Sequence, residues 1–93
     1  VSGGSGDSLL GAARQAGADV FLTADLRHHP ATDHLADGRP YLLCGTHWAT
    51  EWVGLAPLAA RLEAGAARRG RTLTTRVSQV VTDPWTLRLS TGS

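Results

Sequence analysis

The sequence lacks methionine, has only one cysteine, and contains no apolar run near the roughly 18 residues that a membrane-spanning helix needs. A single cysteine cannot form a disulfide within the chain, which favours a reducing compartment. Nothing in the sequence resembles a signal peptide. We therefore expect a cytoplasmic protein that has no membrane partner.

The chain also lacks an excess of charge of either sign, because nine basic and eight acidic residues leave a net charge of +1. A surface that binds nucleic acid needs a clustered excess of lysine and arginine. The one basic cluster, Arg68, Arg69 and Arg71, falls where a helix should end, and positive charge there offsets the helix dipole. We favour this structural role over binding and expect no nucleic-acid partner.

The length of the chain sets a further bound, since 93 residues fit one small domain with a modest hydrophobic core. The chain begins at Val1, without an initiator methionine, and opens on a glycine run. We therefore expect residues 1–93 to form a single α/β domain that is the C-terminal part of a longer protein.

Hydrophobic patterning predicts an alternating order of helices and strands. The predicted elements are a helix after the glycine-rich residues 3–6, strands at 18–23 and 41–44, helices at 30–36 and 46–69, a strand at 72–81 and a short edge strand at 85–89. Such an order is typical of an α/β fold. We expect helices packed on a small mixed sheet that forms the C-terminal half of a larger two-part fold.

The helix at 46–69 should be the longest element. Thr46 is its predicted N-cap, Gly70 its predicted end, and Pro57 should kink or split it, because proline lacks the backbone donor and clashes with the preceding turn. An apolar stripe should run along this helix. The stripe consists of Val53, Leu55, Leu58, Ala59 and Leu62.

Local context also predicts the surroundings of individual side chains. Asp7 or Ser5 should cap the first helix. Cys44 lies in an apolar run, which favours a buried and unreactive thiol over a nucleophile. His34 should be exposed on the helix at 30–36.

The segment His-Trp-Ala-Thr-Glu-Trp at 47–52 holds the clearest chemical pattern. His47 and Glu51 are four residues apart, so on a helix they share one face about 5–6 Å apart. Imidazole and carboxylate at that spacing suit zinc, iron or manganese. Spacing alone favours the simpler alternative, a hydrogen bond between two side chains on a helix surface.

Two neighbouring patterns have competing interpretations. Trp48 and Trp52 are also one turn apart, and we favour a core stripe over a stacking platform. The glycine-rich turn around Gly4 leads into a helix whose first N–H groups can hold an anion. It matches neither a P-loop nor a dinucleotide fingerprint, so a plain tight turn is favoured over a phosphate site.

Four stretches together resemble one family, although each alone is weak. They are residues 3–7 (Gly-Gly-Ser-Gly-Asp), 23–31 (Thr-Ala-Asp-Leu-Arg-His-His-Pro-Ala), 47–52, and 78–84 (Ser-Gln-Val-Val-Thr-Asp-Pro). The chain resembles the C-terminal part of the NGG-interacting-factor-like family, the dinuclear-metal-centre hexameric proteins also called GTP cyclohydrolase type 2-like. The departures are Ala24 for the usual glycine, His28 for a frequent tyrosine, and Pro30 for an acidic residue.

The resemblance implies a site for two divalent metal ions, zinc, iron or manganese, in the full-length protein. His47 and Glu51 match the metal ligands of the family's H-x-x-x-E motif, and Thr23, Asp25 and His29 match a motif that lines the same pocket. The remaining ligands would come from the N-terminal part. His29 and Asp25 are the catalytic candidates, either of which would orient the substrate or shuttle a proton; alternatively His29 is a structural histidine bonded to Asp25.

The resemblance also implies a function. We expect a metal-dependent hydrolase that acts on a nucleotide-like substrate, with Thr23 and Gly4 on the substrate side of the pocket. A homo-oligomer, a hexamer by resemblance, is implied as well. The alternative is a non-catalytic metal-binding protein that serves as an oligomeric scaffold.

Overall fold

The computed structural model describes residues 1–92 and contains a parallel two-stranded sheet. Strand β1 (Val20–Ala24) pairs with β2 (Tyr41–Gly45), with Val20 opposite Tyr41 and Ala24 opposite Gly45. The N-terminal segment 2–6 lies along the other edge of β1, where Ser5 forms a parallel bridge to Ala24. β1 is therefore the central strand, and most of the buried residues belong to it or lie against it.

Within residues 1–92, four helices precede, separate and follow the strands in the order that the sequence predicts. They are α1 (Leu10–Gln15), which follows a 3₁₀ turn at Asp7–Leu9, α2 (His28–Ala36), α3 (His47–Trp52) and α4 (Leu55–Arg68). The α/β class is thus confirmed.

The predicted helix at 46–69 is divided into α3 and α4 at Val53 and Gly54. Pro57 lies in the first turn of α4, where its missing N–H would have no partner in the helix. Thr46 caps α3, since its hydroxyl accepts a 3.1 Å hydrogen bond from the Ala49 N–H, and Gly70 follows the end of α4 with a φ of 69°. The predicted break and both predicted ends are confirmed.

The strands predicted at 72–81 and 85–89 are wrong, because within residues 1–92 neither stretch joins the sheet. The first runs along the helices instead. Glu63 of α4 accepts hydrogen bonds from the Thr75 N–H and hydroxyl at 3.0 and 2.7 Å, and Trp52 of α3 donates to the Ser78 carbonyl at 2.8 Å. A segment rich in β-branched residues does not form a strand when its hydrogen-bond partners are side chains of helices and not the backbone of another strand.

Two burial predictions are also wrong. His34 is buried, because α2 turns it toward Arg14 and the Pro40 carbonyl. Cys44 is exposed, because β2 is an edge strand that pairs only with β1 among the described residues. The apolar run at 41–44 therefore predicted a strand correctly but did not predict the exposure of Cys44.

The predicted cap of the first helix is wrong as well. Neither Ser5 nor Asp7 caps the helix; Asp7 instead binds Arg27, accepting from its Nε at 2.6 Å and its backbone N–H at 3.2 Å. This ion pair holds the start of α2 against the N-terminal turn.

The apolar stripe of α4 is present but mostly uncovered. Val53, Leu58 and Leu62 expose 66, 52 and 51% of their surface. The radius of gyration is 17.4 Å, against about 12 Å for a compact domain of this length. Most of the stripe is therefore not covered by the rest of residues 1–92. Across residues 1–92, no helix combines the length and apolar character needed to cross a membrane.

Candidate metal centre

The imidazole of His47 lies between two carboxylates. Its Nδ1 is 2.5 Å from Asp25 Oδ2, and its Nε2 is 2.8 Å from Glu51 Oε1. All three side chains are about half exposed. The structure thus brings together two predicted metal ligands and one residue predicted to line the pocket; we call these three the acid–His cluster.

The parallel sheet explains how residues so far apart in the sequence meet. Asp25 directly follows β1, and His47 follows β2 after the capping residue Thr46. Because β1 and β2 are parallel neighbours, their carboxyl ends reach the same edge of the sheet, where α/β proteins place their sites. Asp25 has a φ of 51°, a left-handed conformation uncommon for a residue other than glycine, which turns the chain as it leaves β1.

The glycine turn lies directly against the acid–His cluster. A Cβ on Gly4 would overlap Glu51 Oε1 and lie 3.2 Å from His47 Nε2, and the φ of Gly4 is 73°. The Gly4 N–H donates to Thr50 Oγ1 at 3.0 Å, and the Gly4 carbonyl accepts from Thr23 Oγ1 at 3.0 Å. This turn thus packs closely on the site only because Gly4 has no side chain.

Thr23 and His29 occupy different surroundings from the acid–His cluster. Thr23 is fully buried, and its hydroxyl holds the glycine turn. His29 is exposed in the first turn of α2, where its ring packs edge-on against His28 at 5.2 Å between centroids. The carboxylate of Asp25 binds His47, so the structure does not bring His29 and Asp25 together.

The two carboxylates favour the protonated form of His47. The hydrogen bond to Asp25 raises the pKa of His47 most, and the charge of Glu51 raises it further. The folded chain therefore binds this proton more tightly than the unfolded chain does. The resulting stabilisation is full below the ordinary pKa of 6.5 and is lost as pH rises through the higher pKa of folded His47.

We expect Asp25→Asn to lower the pKa of His47, because a neutral amide replaces the charged carboxylate in the hydrogen bond that raises it most. The measurement is an NMR titration of the His47 ring in the presence of a chelator. Asp33→Asn, which removes an exposed carboxylate from α2, is the matched control. An unchanged titration of His47 in Asp25→Asn would contradict this geometry.

The donor atoms fit part of a metal site. Among residues 1–92, no group of three or more His, Cys, Asp or Glu side chains is arranged to hold a metal ion by itself. His47 Nε2 and Glu51 Oε1 nevertheless converge as a nitrogen and an oxygen donor, while Asp25 holds the opposite ring nitrogen. A carboxylate in that position is what commonly orients a metal-binding histidine. His47 and Glu51 therefore fit as two ligands of a metal site whose other ligands lie elsewhere.

A pocket of about 370 Å³ opens beside the cluster. It is lined by His47, Glu51 and the half-buried Trp48 and Trp52 of α3, by Leu55, and by residues 82–84. The two indoles stack, with centroids 5.4 Å apart and an angle of 23° between their planes. They line a pocket rather than a closed core, so the core interpretation of this pair is wrong.

Sequence reasoning did not identify Asp83 as a residue of the site. Its Oδ2 accepts a 2.6 Å hydrogen bond from the hydroxyl of Thr46, which caps α3. The two residues are 37 positions apart, so no local spacing connects them. The only available signal is that Asp83 belongs to one of the four stretches that carry the family resemblance.

Comparison with known families gives a match along almost the whole chain. The model of the family described as Duf34/NIF3 (NGG1p interacting factor 3) matches residues 1–84. A GTP cyclohydrolase 1 type 2 homolog of Streptomyces coelicolor is 50% identical over 92 residues, which are 99% of this chain and 32% of that protein. Its counterpart in Mycobacterium tuberculosis is 43% identical over 94 residues and is covered to 24%.

A solved structure agrees with these sequence matches. The crystal structure of a Bacillus cereus protein related to NIF3 superposes with a TM-score of 0.75 at 25% identity, covering 92% of this chain and 23% of that one. The chain thus spans about a third or less of the length of these relatives.

Proposed function

Because the chain belongs to the Duf34/NIF3 family, we propose that it contributes His47 and Glu51 to a two-metal site of a hydrolase that acts on a nucleotide-like substrate. The observation that carries this proposal is the acid–His cluster, in which one carboxylate holds Nδ1 while the other faces Nε2. A hydrogen bond on a helix surface would need only His47 and Glu51. The third residue, which arrives from the end of another strand, favours a metal site over that alternative.

Zinc, iron or manganese bound at this place would activate a water molecule and stabilise the charge that develops on the substrate. Glu51 and His47 would hold the metal, with further ligands from outside this chain. Asp25 would orient the imidazole and keep Nε2 directed at the metal, which is a positioning role. The nucleotide-like substrate is supported by the name of these relatives, GTP cyclohydrolase 1 type 2 homolog.

The glycine turn and His29 have subsidiary parts in this proposal. The Gly4 N–H is already used by Thr50, so Gly4 would serve the substrate side by leaving space rather than by binding an anion. Thr23 would fix that turn from below. His29 would exchange protons with the substrate, a role that rests on its exposure and on the chemistry of imidazole.

We expect the purified chain to bind zinc or manganese with the low affinity that two donors provide, and to lose that binding in His47→Ala and in Glu51→Ala, because each substitution removes one of the two donors. Equilibrium dialysis followed by plasma mass spectrometry measures the bound metal. His28→Ala and Glu63→Ala remove the same side-chain types elsewhere and should bind as the unmodified chain does. Equal binding by all five chains would overturn the metal site.

A second candidate function is a non-catalytic metal-binding scaffold, and the uncovered stripe of α4 favours it. Exposed apolar patches of this kind mark surfaces where another protein packs. Because further ligands would come from outside this chain, incubation of the metal-loaded full-length protein with GTP separates the two functions. Release of product that is lost in His47→Ala supports the hydrolase, whereas metal binding without turnover supports the scaffold.

A further inference from the structure

The pocket beside the acid–His cluster has features that metal binding does not use. Its volume of about 370 Å³ lies within the range of about 300–1,000 Å³ that is typical of small-molecule sites. It combines an apolar aromatic wall with one half-buried carboxylate, that of Asp83. Apolar walls with a few placed polar groups are the usual composition of a ligand site.

The aromatic wall is held in place by the protein. Trp48 and Trp52 stack on each other, and the Trp52 Nε1–H donates to the Ser78 carbonyl at 2.8 Å. Both indoles come from the short helix α3, which also carries His47 and Glu51. A flat ring that stacks on this wall would therefore lie next to the cluster without any rearrangement of the helix.

The carboxylate of Asp83 is also fixed before a ligand arrives. Its Oδ2 accepts from the Thr46 hydroxyl at 2.6 Å, and the same Thr46 oxygen accepts from the Ala49 N–H at 3.1 Å. Among residues 1–92, Asp83 Oδ1 has no hydrogen-bond partner. A carboxylate only accepts hydrogen bonds when ionised, so the matching ligand must offer N–H or O–H donors.

We propose that Trp48, Trp52 and Asp83 form a subsite for a purine base that carries ring N–H donors, as guanine does; this inference rests on the proposed nucleotide-like substrate. The base would stack on the indoles, a contact that is strong for any planar base. Selectivity would come from Asp83. Guanine presents its N1–H and its 2-amino group side by side, and these would donate to Oδ1 and to the second lone pair of Oδ2; adenine presents a single exocyclic amino group.

The test is equilibrium dialysis of the full 93-residue chain against guanosine, adenosine and ribose 5-phosphate, with a chelator present so that neither metal nor turnover contributes. We expect guanosine to bind about tenfold more tightly than adenosine, because of the additional charge-assisted hydrogen bond. Ribose 5-phosphate, which lacks the base, should not bind. Equal binding of all three compounds, or no binding of guanosine, would overturn the subsite.

Matched variants locate the binding. Trp48→Leu should weaken guanosine about tenfold or more through lost stacking, and Trp85→Leu, which removes an indole outside the pocket, should leave it unchanged. Asp83→Asn should remove the preference for guanosine over adenosine, whereas Asp19→Asn should keep it. Circular dichroism confirms that each variant is folded. Guanosine binding that is unaffected by Trp48→Leu would overturn the assignment.

The failure of this inference is distinguishable from the failure of the proposed function. Selective binding of guanosine by a chain that binds no metal would support the subsite and overturn the metal site. Metal binding that depends on His47, together with no selectivity among the three compounds, would overturn the subsite alone.

Discussion

Gly4→Ala is expected to separate Glu51 from His47 and to weaken metal binding about 10–100-fold, the effect typical of substitutions beside metal ligands. The added Cβ would overlap Glu51 Oε1, which is the far end of a flexible side chain and can move away. The fold should therefore survive. What is lost is the 2.8 Å approach of the carboxylate to His47 Nε2. Competition with a chromophoric chelator measures the zinc affinity.

Gly17→Ala is the matched control for this prediction. Gly4 and Gly17 share a φ of 73°, but a Cβ on Gly17 would meet nothing within 4 Å. Alanine at either position should lower the free energy of unfolding by about 1–2 kcal/mol, because the left-handed conformation is unfavourable for a residue with a Cβ. Only Gly4→Ala should lower the zinc affinity. Equal affinities of the two variants would show that the close contact has no part in the site.

His34→Ala is expected to lower the free energy of unfolding by about 2–3 kcal/mol, the largest effect that we expect away from the site. Arginine only donates hydrogen bonds, so His34 Nδ1 accepts from Arg14 Nη2 at 2.9 Å, and Nε2–H donates to the Pro40 carbonyl at 2.9 Å. Truncation leaves the Pro40 carbonyl without this donor in a buried position, removes one of the hydrogen bonds of Arg14 and opens a cavity. Urea denaturation followed by circular dichroism measures the change.

Two further variants test the cause of that destabilisation. His28→Ala removes an exposed histidine from the same helix and should change the stability little. His34→Gln keeps one acceptor and one donor on a similar reach and should recover part of the loss. If His34→Ala were as stable as His28→Ala, the hydrogen bonds from His34 to Arg14 and Pro40 would not be what holds α2 to α1 and to the turn before β2.

Features that depend on neighbouring residues in the sequence were predicted well. Thr46 caps α3, Gly70 follows α4, and the helix divides near Pro57, because each outcome depends on the backbone chemistry of one turn. The approach of His47 to Glu51 follows from helical spacing. These are local effects, and the sequence contains all the partners involved.

Features that depend on what packs nearby were not predicted. Residues 72–81 have a strand pattern but bind the side chains of helices, and Cys44 lies in an apolar strand yet is exposed at the sheet edge. His34 has a polar side chain yet is buried, because Arg14 and Pro40 satisfy both ring nitrogens. In each case the environment comes from a distant part of the chain.

The sequence by itself therefore determined the alternating order of β1, α2, β2 and α3, the two ends of the helical segment at 46–69 and the His47–Glu51 pair, since all of these follow from short-range geometry. Only the tertiary structure decided that Asp25 joins the pair, that Gly4 packs against it and that Asp83 meets Thr46. The physical reason is the parallel register of β1 and β2, which brings the ends of distant segments to one edge of the sheet.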